Sequence, residues 1–487
     1  MIRITVADSM FAYDMFHISK AFCPGETIEQ KSNLSCPFLV EIVWIQGDKK
    51  CLQIRPEEVA HIIDRKEKKQ YVNLKVYDWF VSVTGKELAW GILTGVRPTK
   101  LMMCMLEDGC TEEDIICQMM QERRVSSKKA KLGLWVAKKE KELLSQLDYV
   151  DGYSLYIGIP FCPTTCSYCS FTSYPISMWQ ERVDEYLDAV CKELTFVASV
   201  SKEKKLNTIY VGGGTPTTLE PAQLDRLLNH LEQHFSYADL KEITVEAGRP
   251  DSITKEKLQV LKAHKIGRIS INPQTMQQKT LDIIGRKHTV EDVRRVYAMA
   301  RELGFDNINM DLIAGLPGEN VEDMRNTLEQ MKELVPDSLT VHALAMKRAS
   351  KLSQEKKECP SDSAQEAKIA SELSEIIEMA ADYAGEMQLQ PYYLYRQKNI
   401  AGNFENVGYA KVDKAGIYNI LIMEEKQSIV AVGAGASTKI VLPKGQEIVE
   451  GNGNVRKIAH TENVKDVNQY IERIDEMIER KGEWLWR

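Results

Sequence analysis

Between Ser154 and about Met346, short apolar β-prone runs alternate with amphipathic stretches of helical period, and this order constrains the fold more than any other feature of the chain. Strand, helix, strand, helix in steady succession describes parallel strands joined by crossover helices. The expected strands are Leu155–Ile159, Thr208–Val211, Ile243–Glu246, Ile269–Asn272, Ile308–Ile313 and Leu339–Leu344. Helices are expected over Trp179–Val200, Pro221–Phe235, Thr254–His264, Val290–Leu303 and Val321–Val335. Six units are fewer than the eight that close a barrel, so the expected class is α/β, an open partial (β/α)6 barrel. Its polar and glycine-rich loops belong at the C-terminal ends of the strands, where such sheets place their chemistry.

The 487 residues leave room for two flanking units. Residues 1–148 read as an N-terminal α+β module, with a strand over Phe38–Ile45 and helices over Leu101–Met120 and Ala130–Leu147. The boundary falls at Asp148–Gly152, ahead of a barrel over 149–350. Residues 351–487 read as a C-terminal α+β domain: a helix over Ser363–Met387, β-like runs at Ile417–Met423 and Ser428–Val432, and a closing helix over Val464–Arg480.

A net charge of -7, with Lys and Arg spread along the chain, gives no reason to expect nucleic acid as a partner. The N-terminus lacks a signal-peptide pattern and no apolar run is long enough for a bilayer, so a cytoplasmic monomer with no membrane contact is expected. Of eleven cysteines, Cys23, Cys36, Cys51, Cys104, Cys110, Cys117, Cys191 and Cys359 stand singly, as small apolar residues do in a reducing compartment.

The other three do not. Cys162, Cys166 and Cys169 form a C-x3-C-x2-C group directly after the first barrel strand. Three thiolates this close suit three irons of a 4Fe-4S cluster, whose fourth iron is then open to chelate the amino and carboxylate groups of S-adenosylmethionine (SAM). A structural zinc site with a distant fourth ligand is the alternative. The second strand ends in Gly212-Gly213-Gly214-Thr215, where backbone groups are free to meet a ligand, although a glycine run is by itself also an ordinary turn.

Together with the lead-in Tyr156-Ile157-Gly158-Ile159-Pro160-Phe161-Cys162, these motifs resemble the radical SAM superfamily, and more narrowly the oxygen-independent coproporphyrinogen III oxidase group. The resemblance implies a 4Fe-4S cluster on Cys162, Cys166 and Cys169. It also implies SAM contacts at Tyr156, Gly212, Gly213, Gly214, Thr215, Glu246, Gln274, Arg286 and Asp311, before an Ala314-Gly315-Leu316-Pro317-Gly318 turn. Taken singly, Glu246, Gln274 and Asp311 also suit strand-end caps, Arg286 suits a solvated helix end, and His288 suits a core histidine. Tyr392, Tyr393 and Tyr395 read as structural aromatics, and Arg348 or Arg396 as cations for an acidic substrate. Family-like pieces recur at Asn399-Ile400-Ala401 and Gly433–Ser437.

Where the oxidases carry a fourth cysteine this chain has Phe171, and where they usually carry histidine it has Gly158. Both changes, and the added N-terminal module, resemble the HemZ subfamily. So does Thr94-Gly95-Val96-Arg97-Pro98-Thr99-Lys100, read as a helix start with two solvated cations. The implied reaction is oxidative decarboxylation of coproporphyrinogen III to protoporphyrinogen IX in anaerobic haem biosynthesis, with flavodoxin or ferredoxin as a reducing donor. A haem chaperone on the same scaffold, or methyl transfer with ring opening of a tetrapyrrole, are the alternatives.

Overall fold

Alternation decides the N-terminal sheet. Ile2, Ile4 and Val6 of β1 (Ile2–Val6) point inward between more exposed neighbours. β1 lies between β2 (Ile28–Ser32), which is parallel to it, and the antiparallel hairpin β3 (Val40–Gln46) and β4 (Asp48–Ile54). Helices α1 (Ala12–Phe22) and α2 (Arg65–Thr84) cover one face, and Phe22, Phe80 and Ile42 meet in a core separate from that of the barrel. The helix expected over Leu101–Met120 is two, α3 (Thr99–Glu107) and α4 (Glu112–Arg123). Gly109 at φ +83° ends the first turn of chain, and the Thr111 hydroxyl caps the second by accepting from Asp114 N. With α5 (Ser127–Ser145), these helices pack into the central core rather than that of the N-terminal sheet.

The protein is seen here as a computed structural model that describes residues 1–487 except 47, 345–351, 353–362, 398–403, 444, 450–454 and 487. Its central strands are buried on both faces, as a helix-covered parallel sheet requires. They are β5 (Gly152–Ile159), β8 (Lys205–Gly213), β9 (Glu242–Gly248), β10 (Arg268–Ile271), β11 (Ile308–Ala314) and β12 (Ser338–Ala343), paired in that order and all parallel. Two-residue strands β6 (Phe161–Cys162) and β7 (Tyr174–Pro175) close the base of the cysteine loop. The crossovers run through α6 (Val183–Val200), α7 (Pro221–His234), α8 (Lys255–Ala263), α9 (Gln278–Ile283) with α10 (Val290–Glu302), and α11 (Val321–Leu334). The helix expected from Trp179 begins only at Val183: Trp179 links two 3-10 turns, Ile176–Met178 and Gln180–Arg182, that precede α6.

The C-terminal region enlarges the same sheet on both sides. β13 (Gln390–Arg396) and β14 (Glu405–Ala410) follow β12, with β14 antiparallel to it. On the other side β15 (Ser428–Val432) pairs in parallel with β5, and β16 (Ser437–Val441) and β19 (Ile458–Glu462) continue antiparallel. The result is an eleven-stranded open sheet from β13 to β19, with β17 (Ile448–Val449) and β18 (Val455–Arg456) forming a small separate hairpin.

Two expectations for this region fail. Ile417–Met423 is helical, part of the helix Ile417–Glu424: the Glu242 carboxylate accepts from Ile417 N (2.6 Å) and Tyr418 N (3.2 Å), satisfying the first turn from outside the segment. The closing helix divides at Arg473 into Val467–Glu472 and Ile474–Gly482. Cys359, Arg348 and Asn399-Ile400-Ala401 lie outside the described residues. Among those described, no helix is long and apolar enough to cross a membrane.

Candidate active site

The cysteine loop is fixed at its base and at its tip. Tyr174 N donates to Pro160 O (2.8 Å), while Gly214 N and Thr215 N donate to Ile159 O and Phe161 O (both 2.7 Å), so the end of β8 is laced to the start of the loop. A Cβ on Gly214 would stand 2.5 Å from Phe161 O, which is why no side chain fits there. Farther along, Ser167 N donates to Ile284 O (3.1 Å) and the Thr164 hydroxyl to Gly285 O (3.1 Å).

Cys162, Cys166 and Cys169 line one cavity of about 240 Å³. Burial pushes the Cys162 and Cys169 thiols above their ordinary value, with the neighbouring sulfurs adding to it. Cys162 Sγ lies 3.5 Å from Thr215 Oγ1, and Arg249 Nη1 lies 3.7 Å from Cys166 Sγ. Among the described residues no three His, Cys, Asp or Glu side chains close on a single metal-ion position. Three thiols around one cavity fit a polynuclear group that takes one sulfur per metal better than they fit a lone ion.

The strand ends supply the other walls. Gly213, Gly214 and Thr215 come from β8, Glu246 from β9, Gln274 and Arg286 from the segments after β10, and Asp311 from β11. Glu246 accepts a short hydrogen bond from the Tyr210 hydroxyl; burial, opposed by that bond and reinforced by Asp311, pushes its carboxyl up to about 7. Gln274 sits at φ +69°, a left-handed conformation held by Gln274 N donating to Asp311 O and Ile313 N donating to Gln274 O (both 2.9 Å). That strained position turns a buried amide toward the cavity, and its Oε1 has no partner. Arg286 donates to Asn272 O (2.6 Å) and the Tyr168 hydroxyl (3.2 Å), leaving its buried Nε without a partner. Burial works against its charge, yet Tyr168 and Cys166 hold the guanidinium above its ordinary range. Asp311 accepts from Asn309 Nδ2 (2.7 Å) and lies 4.0 Å from His342 Nε2.

Tyr156 and Gly212 stand behind this wall rather than in it. The Tyr156 ring lies nearly parallel to Tyr210, with centroids 6.2 Å apart, and a Cβ on Gly212 would meet the Tyr210 ring at 2.8 Å. His288 is buried with neither ring nitrogen hydrogen-bonded, Nδ1 standing 3.9 Å from Asp251 Oδ1, and burial beside Arg286 lowers its pKa to about 4; it is a neutral core histidine. Arg396, a candidate substrate cation, is buried on the side away from the cavity and donates to Leu93 O (2.7 Å). Adjacent residues on β13 face opposite ways, so Tyr395 and Gln397 reach the cavity and Arg396 does not. Arg97 is not a solvated cation: it donates to Met423 O (2.5 Å) and pairs with Glu425 (2.6 Å).

Sequence reasoning missed Arg249, Tyr168, Asn272, His342 and Gln397, all in the cavity wall, and read Tyr395 as structural. Tyr395, His342 and Gln397 form a polar group there, the Tyr395 hydroxyl being 3.2 Å from His342 Nδ1 and 3.4 Å from Gln397 Nε2. A polar residue in an apolar strand signals such positions only once the sheet order is known.

Residues 156–331 match the radical SAM superfamily, the class defined jointly by the cysteine loop and the parallel sheet. The oxygen-independent coproporphyrinogen-III oxidase-like protein HemZ of Bacillus subtilis is 41% identical over 421 residues, covering 85% of this chain and 80% of that protein. The chain belongs to this HemZ family of radical SAM proteins. Membership implies a 4Fe-4S cluster and SAM. The heme chaperone HemW of Bacillus subtilis is 38% identical over 192 residues, 39% of this chain and 50% of that one. The oxygen-independent coproporphyrinogen III oxidase of Escherichia coli is 34% identical over 188 residues, 39% and 41% of the two chains. The chain thus matches half or less of the length of these two relatives. The solved coproporphyrinogen III oxidase structure from Escherichia coli shares the fold, with a TM-score of 0.52 at 24% identity over 69% of this chain and 73% of that one.

Proposed function

We propose that Cys162, Cys166 and Cys169 hold a 4Fe-4S cluster, that SAM binds in the adjoining cavity, and that the protein oxidatively decarboxylates coproporphyrinogen III to protoporphyrinogen IX. The observation that carries this reading is one cavity shared by three thiols, the Gly213-Gly214-Thr215 backbone, and Glu246, Gln274, Arg286 and Asp311 from successive strand ends. When bound, the cluster and SAM supply a 5′-deoxyadenosyl radical by reductive cleavage of a carbon-sulfur bond.

The chain's own part is to bind and to orient. Arg286 offers a fixed guanidinium to a carboxylate, and the unpartnered Gln274 Oε1 offers an acceptor. Glu246 and Asp311 are acceptors for an ammonium group or ribose hydroxyls. Ile313, Ala343 and Leu344 add apolar surface to the same cavity, which helps exclude water from a reactive carbon. Conversion of each propionate to vinyl removes one hydrogen atom, one carbon dioxide and one electron, so an electron acceptor is also required.

Anaerobic incubation of reconstituted protein with SAM, a reductant and coproporphyrinogen III tests this. Protoporphyrinogen IX with 5′-deoxyadenosine is the expected outcome, and Cys166→Ala lowers turnover by at least a thousandfold. 5′-Deoxyadenosine without protoporphyrinogen rejects the substrate. A second reading, haem delivery, is favoured by the HemW likeness and by Phe171, which stands 70% exposed at the cavity. Stoichiometric haem binding without decarboxylation supports that reading instead.

A further inference from the structure

We propose that Arg249 is a positioning residue that sets the reduction potential of the cluster through Cys166. The proposal rests on the reading of Cys162, Cys166 and Cys169 as cluster ligands. Arg249 directly follows β9, where Gly248 at φ +66° turns the chain beneath the cysteine loop. Only 2% of the residue is exposed. Its guanidinium divides between two duties. Nε and Nη2 meet both oxygens of Asp251 (3.0 and 2.7 Å), and Nη1 donates to Thr164 O (2.9 Å) and Thr164 Oγ1 (2.7 Å) and faces Cys166 Sγ at 3.7 Å.

A loop brace needs only the Thr164 contacts, which ask for an N–H donor at the place of Nη1 and not for a charge. The structure instead buries a full charge beside a ligand sulfur and clamps it with a carboxylate on its far side. The Asp251 and Thr164 bonds offset the cost of burying the guanidinium and fix its charge 3.7 Å from Cys166 Sγ. Hydrogen bonds and charge near the sulfurs are among the levers that set cluster potentials. Reduction adds negative charge to the cluster, so a fixed cation at Cys166 favours the reduced state. Asp251 attenuates that effect from behind. The two side chains therefore act with opposite sign.

The test is a spectroscopically monitored redox titration of the anaerobically reconstituted full chain without SAM, with iron content measured alongside. Arg249→Gln removes the charge, and because its shorter amide ends near the place of Nε it gives up the Nη1 bonds to Thr164 as well, whereas Asp251→Asn leaves those bonds in place and separates charge from brace. The potential of the Arg249→Gln protein is expected to fall by about 59 mV, a tenfold change in the oxidised-to-reduced ratio of a one-electron couple. Asp251→Asn is expected to raise the potential, and Arg249→Lys to restore most of the loss. Shifts of the same sign in the Arg249→Gln and Asp251→Asn proteins, or potentials unchanged from the parent, overturn the proposal. Should Arg249→Gln fail to retain iron, the direction of the Asp251→Asn shift decides. An unsubstituted protein with no iron-sulfur spectrum overturns the reading beneath the proposal, a result distinct from unmoved potentials in proteins that hold the cluster.

Discussion

Glu246 and His288 are driven from their ordinary pKa values in opposite directions by the same cause, burial, and their effects on stability oppose each other. Glu246 titrates at about 7 when folded against 4.5 as a free side chain, so the native state keeps a proton that the unfolded chain releases. Its contribution therefore weakens as pH rises from about 4.5 to 7, by up to about 3 kcal/mol before screening by cavity water. His288 titrates at about 4 against 6.5, so the unfolded chain takes up a proton the native state refuses. Its contribution is complete above 6.5 and is lost as pH falls toward 4. Urea unfolding across this window should give Glu246→Gln a stability that rises more steeply with pH than the parent's. His288→Leu should give the reverse. Glu246, Gln274 and Asp311, which line the cavity, were legible because the motifs around them resemble the family's; taken singly each also suited a strand-end cap. Arg249 was not: before Pro250 it reads as a turn residue, and Cys166, whose sulfur it faces, lies 83 positions earlier.

Among the elements, Ile417–Glu424 shows where periodicity is silent. A short run rich in Ile, Leu and Met suits a strand or a buried helix equally well. The choice is made by distant groups, with Glu242 satisfying its first amides and Arg97 donating to the Met423 carbonyl in its last turn. The barrel strands were legible because each carries its own apolar run and turn. This helix also bears on the site: the Tyr418 ring lies parallel to Tyr210, at 4.4 Å between centroids, and Tyr210 holds Glu246. Arg97→Ala should lower stability by about 1.5–3 kcal/mol, the range for hydrogen bonds involving a charged group. Hydrogen exchange should locate the loss of protection in residues 417–424, and a change confined to α3 would contradict the clamp.

At the scale of the whole molecule, the N-terminal helices are joined to the barrel by buried polar contacts. Lys129 on α5 pairs with Glu405 on β14, where neither side chain exceeds 8% exposure, and Trp90 Nε1 donates to the same carboxylate (2.7 Å). Removing one partner of such a pair strands the other in the core. Lys129→Met alone should cost about 3–5 kcal/mol, and Lys129→Met with Glu405→Met much less, as measured by urea denaturation. Equal losses in the single and double variants would assign the penalty to packing. No pattern within residues 1–148 foretold this join, because both of its halves look like ordinary surface charges until the chain is folded.

The pairing of β15 with β5 sets an order of events. The strand that launches the cysteine loop has one of its two neighbours only after some 270 further residues have been made, so during synthesis it presents an open edge of unpaired amides. A chain ending before Ser428 leaves that edge open for good.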